Sequence, residues 1–290
     1  MDATFLLIQT LNGVQYGLLL FLIASGLTII FGIMGVINLA HGSFYMIGAY
    51  LALSLTQWTG SIFAALLLGV PLAALLGLII ERLFITHLYD RDHLQQVLLT
   101  FGLILIFNEC QSLIWGDDPH SIPVPAVLDF SVPLTATLSY PAYRLFLSVC
   151  CLALAGGLYL LIQHTRLGMR IRAGATNAEM VRCLGIDVRI LFSSVFSLGV
   201  TLAAFAGMLA APAGSVYPGI GEQVLIISFV VVVIGGIGSV KGAFLGAILI
   251  GLTDVYGRVF LPDIASVTVY ALMAAILLWR PTGLFGKGER

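Results

Sequence analysis

Charge is what this sequence most lacks. Only 9% of its 290 residues are Asp, Glu, Lys or Arg, against about 25% in a soluble globular domain. Thirteen basic and 14 acidic side chains cannot cover the surface of a water-soluble body of this size. That excludes a cytosolic enzyme, a nucleic-acid binder and a disordered regulator. No Lys or Arg precedes Arg82. The first apolar run therefore has no basic stretch ahead of it, and no cleaved signal peptide is expected. The four cysteines, Cys110, Cys150, Cys151 and Cys183, have neither disulfide nor zinc-ligand spacing and read as small apolar packing residues. No G-x-x-x-x-G-K-[ST] occurs: the tail Gly283–Gly288 lacks both the spacing and the Ser/Thr. If the protein works with nucleotide, another polypeptide must hold it, and no cofactor is expected on this chain.

What the sequence has in abundance is apolar length. Hydrophobic residues make up 60% of the chain, and 32 glycines accompany them. A hydrocarbon core of about 30 Å needs roughly 20 apolar residues of helix. Nine segments approach that: Asn12–Ile33, Ile37–Trp58, Ser61–Phe84, Leu94–Trp115, Pro141–Ile162, Ile190–Ala211, Gln223–Gly235, Ala243–Phe260 and Ile264–Trp279. The expected fold is all-α, a polytopic transmembrane bundle of about 8–10 helices forming a single domain over residues 1–290. The seventh segment is short and flanked by glycines, so residues 223–242 are expected to be distorted or re-entrant. Trp58, Trp115 and Trp279 fall at segment ends, as an interfacial aromatic belt would place them.

The charges, though few, are unevenly placed. Arg82 and Arg91 follow the third segment. Arg166, Arg170, Arg172, Arg182 and Arg189 follow the fifth, Lys241 the seventh, and Arg280, Lys287 and Arg290 the ninth. If these loops are cytoplasmic, only Arg144 and Arg258 lie outside. The positive-inside bias then sets the N terminus outside and the C terminus in the cytoplasm. The loop 116–139, with four prolines, reads as an extended outer loop. The loop 163–189 faces inward. Within it Asn177 is a plausible N-cap for a short amphipathic helix, Ala178–Leu184, which Gly185 ends. Such a helix either rests on the membrane surface or docks on a partner.

Polar groups inside a membrane are costly and mark functional candidates. Asn108 and Glu109 in the fourth segment fit a solute path, or a structural bond between helices. Asn38 and His41 sit in the glycine-rich break between the first two segments, without a second His or acid at metal or catalytic spacing. Asp254 and Arg258 are four apart and can pair along one helix face. Small residues at Gly238–Gly242–Gly246, Ala206–Ala210 and Gly48–Ala52 allow close helix contact, and a second chain of the same kind is an expected user of these faces. A faint repeat relates Gly32–Ala49 to Gly235–Ala247, both running in the same direction.

Three stretches together carry a resemblance: Gly35-Val36-Ile37-Asn38-Leu39-Ala40-His41-Gly42 with Phe44–Tyr50, the loop Arg166–Ile186, and Val233–Gly246 with Arg280-Pro281-Thr282-Gly283. The chain resembles, over nearly its whole length, the membrane-spanning permease subunits of bacterial ABC importers for branched-chain or other hydrophobic amino acids. The resemblance implies a multi-pass protein of the bacterial inner membrane, surrounded by membrane lipid. It implies as partners a second homologous permease in a heterodimer, two cytoplasmic ATP-binding subunits and a periplasmic substrate-binding protein, and no nucleic acid. It implies that the inner loop couples ATP binding to pore opening, through a pattern E-A-A, three residues, Gly. Glu179 and Gly185 stand at that separation, with Met180 and Val181 in place of the alanines. Arg172, Asn177, Glu179 and Gly185 are the expected docking surface, and Asn38, His41, Asn108 and Glu109 the candidate path. Permeases for urea or short amides fit the residues equally well. A stand-alone transporter or channel is the alternative from another class, and it would want intramembrane acids placed for ion coupling.

Overall fold

The computed structural model describes residues 3–89, 91–135 and 138–286. All nine apolar segments are helices. They are α1 (Ala3–Met34), α2 (His41–Thr59), α3 (Ile62–Leu83), α4 (His93–Trp115), α5 (Ala142–His164), α8 (Val188–Ala210), α9 (Ile220–Gly235), α10 (Val240–Phe260) and α11 (Ala265–Trp279). Between α5 and α8 lie two short helices, α6 (Arg166–Thr176) and α7 (Ala178–Cys183). By length and composition, seven helices among the described residues suffice to cross a membrane: α1, α3, α4, α5, α8, α10 and α11, the last together with a preceding turn. A helix satisfies its backbone polar groups within the segment, as a crossing of the hydrocarbon region requires.

α1 and α8 form the centre. α1 runs 32 residues, about 48 Å at 1.5 Å per residue. Residues Leu18–Ala24 are buried on every side, as an apolar helix without a polar face must be. α2, α3, α9 and α10 surround this pair. α4, α5 and α11 form the rim and turn large apolar side chains outward, among them Leu98, Leu113, Val149 and Leu278. Such an exterior suits lipid or another apolar surface.

The two glycine-rich breaks of the faint repeat have the same use. α2 starts beside the middle of α1, where His41 Nε2 lies 2.9 Å from the Ile23 carbonyl. The six residues between α1 and α2 are therefore non-helical backbone at depth. One of them is held from α4: Ile37 N donates to Gln96 Oε1 at 3.3 Å, and Thr100 Oγ1, which donates to the Gln96 carbonyl at 2.8 Å, lies 3.5 Å from the Ile37 carbonyl. The second break, Gly236–Ser239, leads into α10. Helix α9 is bracketed between the two breaks. A Cβ on Gly221, at its start, would lie 2.6 Å from the Gly42 carbonyl oxygen; a Cβ on Gly235, at its end, would lie 2.6 Å from that of Gly242. The distortion expected over 223–242 is thus confined to four residues, and α9 itself is regular. Its last carbonyls are capped by the tail: Leu284 N donates to Ile234 O at 2.8 Å, and Phe285 N to Gly235 O at 3.1 Å.

The small-residue faces expected to meet a second chain are used inside this one. Gly242 and Gly246 pack on α9, and Gly48 packs on the Ala204 backbone of α8. Trp115 also departs from the belt expected of it. Its indole donates to Ser54 Oγ at 2.8 Å and its ring packs on Tyr50, whereas Trp58 and Trp279 are exposed.

Over its described residues, 116–135 and 138–139, the outer loop is extended as expected, with one 3-10 turn at Ala126–Leu128. It adds two small pairings to an otherwise helical chain. β1 (His120–Ser121) pairs antiparallel with β4 (Ser215–Val216), and β2 (Ser131–Thr135) with β3 (Leu138–Pro141). β1–β4 ties the loop to the α8–α9 junction. The α6–α7 hairpin lies at the opposite end of the bundle, against the last turn of α1.

Candidate functional site

The hairpin is built from local signals. Thr165 caps α6, its hydroxyl accepting from Gly168 N at 3.0 Å. Gly168, Ile171 and Gly174, three apart, form the buried side of α6, while Arg166, Arg170 and Arg172 are exposed. This helix was not anticipated, although that spacing of three was its signal. Asn177 ends α6 and caps α7, its side-chain oxygen accepting from Met180 N at 2.9 Å. Gly185 has φ +79°, the left-handed conformation that ends a helix and favours glycine. α7 buries only Val181. Met180 and Leu184 are 59% and 73% exposed, beside exposed Glu179 and Arg182. The apolar residues of this amphipathic helix are therefore split, Val181 inward and Met180 and Leu184 outward.

An open groove of about 870 Å³ runs along this helix. It is lined by Glu179, Arg182 and Gly185 from α7 and its end, by Thr86 and Tyr89 from the turn after α3, and by Met34 and Phe192. Behind the Thr86–Tyr89 wall lies a residue the sequence reading passed over. Glu81, on the last turn of α3, is 1% exposed. Its Oε1 accepts from Thr86 Oγ1 at 3.0 Å and from the Tyr89 hydroxyl, and its Oε2 accepts from Ser193 Oγ at 2.6 Å. Burial, and then the bond to Glu81, push the Tyr89 phenol above its usual range. It stays protonated and remains a donor.

Of the four expected docking residues, three shape or face the groove. Asn177 and Gly185 set the ends of α7, and Glu179 lines the groove. Arg172 does something else. Its guanidinium donates to the Ile162 carbonyl, and to Gln163 Oε1 at 3.4 Å, which holds α6 against the end of α5.

The four path candidates separate into two places. Asn38 and His41 are wholly buried inside the chain. Neither end of the Asn38 amide, nor His41 Nδ1, has a hydrogen-bond partner among the described residues. Asn108 and Glu109 lie on the outer face of α4, toward the bundle end opposite the hairpin. Asn108 Nδ2 donates to Glu222 Oε1 at 2.8 Å, where Glu222 occupies the first turn of α9, a position where a helix N-terminus favours a carboxylate. Gln223 accepts from the Tyr217 hydroxyl at 2.9 Å. Together these make a polar seam on an otherwise apolar exterior, and such a seam does not belong against hydrocarbon. Asp254 and Arg258 pair as expected, at 2.9 Å.

Comparison with known proteins adds the following. Residues 9–277 match the family described as "Branched-chain amino acid transport system / permease component". The chain is 32% identical to the high-affinity branched-chain amino acid transport system permease protein BraD of Pseudomonas aeruginosa, over 97% of this chain and 96% of that one. It is 29% identical to the permease protein LivH of Escherichia coli, with the same coverage. A second permease protein of that organism, LivM, is 28% identical, over 91% of this chain and 67% of LivM. No solved structure matches the chain.

Proposed function

The chain belongs to the permease components of branched-chain amino acid transport systems, and from that premise we propose that it forms half of the membrane pore of an ATP-driven importer, moving leucine, isoleucine or valine inward. It is a multi-pass protein of the bacterial inner membrane. In this reading a second, related permease supplies the other half, two ATP-binding subunits dock in the cytoplasm, and a periplasmic protein delivers the solute. In this reading the hairpin is cytoplasmic and the loop 116–139 outside, which the distribution of basic residues supports.

The observation that carries this reading is the α6–α7 hairpin. It presents two exposed apolar side chains, Met180 and Leu184, on a capped helix beside a large groove at one end of the bundle. An apolar anchor flanked by opposite charges, Glu179 and Arg182, is what a docked protein buries; water alone gives no reason to expose it. Arg172 serves by fixing the base of the hairpin. The polar seam of Asn108, Glu109 and Glu222 is the proposed wall of the solute path, facing the second permease. Transport is then alternating access, with ATP binding in the docked subunits selecting one state of the paired permeases.

The test uses the assembled transporter. Leu184→Asp, together with Glu179→Ala, is expected to leave the permease pair intact in mild detergent while the ATP-binding subunits no longer co-purify. Retention of those subunits, with solute-stimulated ATP hydrolysis at the wild-type rate, removes the hairpin from the docking role.

A further inference from the structure

Glu81 is a carboxylate almost completely removed from solvent, and no Lys, Arg or His is bonded to it among the described residues. Burying an unpaired carboxylate is expensive unless its oxygens are saturated by donors. Here three hydroxyls reach them, that of Thr86 shared with the Glu81 backbone carbonyl, and they come from different parts of the chain: Thr86 and Tyr89 from the turn after α3, and Ser193 from α8, 112 positions away. Thr86 and Tyr89 also line the groove, together with Glu179 and Arg182 of α7. The Tyr89 ring in turn packs edge-on against Phe192 of α8, centroids 5.0 Å apart. An apolar residue at position 81 would leave that wall joined to α8 by apolar contact, such as the Tyr89–Phe192 ring pair, without a directional bond. The carboxylate adds hydrogen bonds that fix direction as well as distance.

We propose that Glu81 is a positioning residue for energy coupling: its hydroxyl-caged carboxylate fastens the Thr86–Tyr89 wall of the docking groove to α8, so that a subunit pressing into the groove moves α8 and does not bend the wall. This rests on the hairpin being the dock for the ATP-binding subunits. α8 is the natural recipient of the motion. It starts at the groove, runs through the centre of the bundle, and packs on α1, α2 and α3. An amide at position 81 has one acceptor oxygen where the carboxylate has two, so at least one of the three hydroxyls can no longer donate to this side chain and must turn to accept from its N–H.

The experiment is the number of solute molecules taken up per ATP hydrolysed, measured on the full transporter in vesicles. Glu81→Gln and, separately, Tyr89→Phe are expected to lower that ratio by about fivefold or more, with the ATP-binding subunits still bound. The double variant is expected to be no worse than Glu81→Gln alone, since both act through one network. A wild-type ratio in either single variant overturns the proposal. So does a proportional fall of uptake and hydrolysis that leaves the ratio unchanged, because that is what loss of folded protein alone produces. If Glu81→Gln does not assemble, Tyr89→Phe, which removes one donor and keeps the carboxylate, decides the matter. Failure of the dock itself shows separately, as unchanged co-purification in the Leu184→Asp, Glu179→Ala variant.

Discussion

Two glycine-to-alanine substitutions inside helices should have opposite effects on stability. Gly26 lies on α1 where α8 and α2 close in. A Cβ there would sit 2.6 Å from the Gly199 carbonyl oxygen, 3.0 Å from Gly199 Cα and 3.1 Å from His41 Cε1. Ordinary contact begins near 3.4 Å, so α1 and α8 must part by about 0.8 Å, and the obstructing atoms are chiefly backbone that no rotamer change can move. Overpacking of this kind costs about 1–3 kcal/mol. The higher intrinsic helix propensity of alanine returns up to about 1 kcal/mol. Starting from the upper end of the cost, Gly26→Ala is expected to destabilise by about 2 kcal/mol. At Gly156 on α5 nothing lies within 4 Å of the added methyl. There the same substitution is expected to stabilise by about 0.5–1 kcal/mol. The assay is the thermal unfolding midpoint of the purified subunit in mild detergent, followed by size exclusion. Gly26→Ala is expected to fall about 4–8 °C below the wild type, with Gly156→Ala at or above it. A Gly26→Ala midpoint equal to that of Gly156→Ala would refute the close α1–α8 packing.

Two further outcomes concern topology and path. Cys183, exposed on α7, is expected to react with a membrane-impermeant maleimide only from the cytoplasmic side. A cysteine placed at Asp118 in the outer loop is expected to react only from the other; the reverse labelling inverts the orientation. Asn108→Leu removes a donor to the Glu222 carboxylate, and bonds to charged groups are worth about 1.5–3 kcal/mol. Uptake is expected to fall about tenfold, with assembly and basal ATP hydrolysis unchanged. Wild-type uptake would take the α4–α9 seam out of the path.

The parts of this protein that could be read along the chain are those fixed by short-range rules. Nine apolar runs gave nine helices because a helix satisfies its own backbone within each run. Asn177 and Gly185 bound α7 as expected because capping involves residues only a few positions apart. The pairing of Asp254 with Arg258 is equally local. The resemblance to a permease family rested on motifs that are contiguous in the chain.

The three-dimensional structure decided which groups from distant positions share one place. Glu81 looks like a helix-end carboxylate in the sequence; only the approach of Ser193, 112 positions on, makes it a caged one. Asn108 meets Glu222 across 114 positions, while Asn38 and His41, equally polar in the sequence, are buried inside the chain. Gly48 and Gly242 carry the same small-residue signal whether their neighbour belongs to this chain or another, and packing assigned both to this chain. Helix formation is decided within a few residues of backbone. Partner choice depends on how helices tens of residues apart dock, and linear spacing holds no record of that.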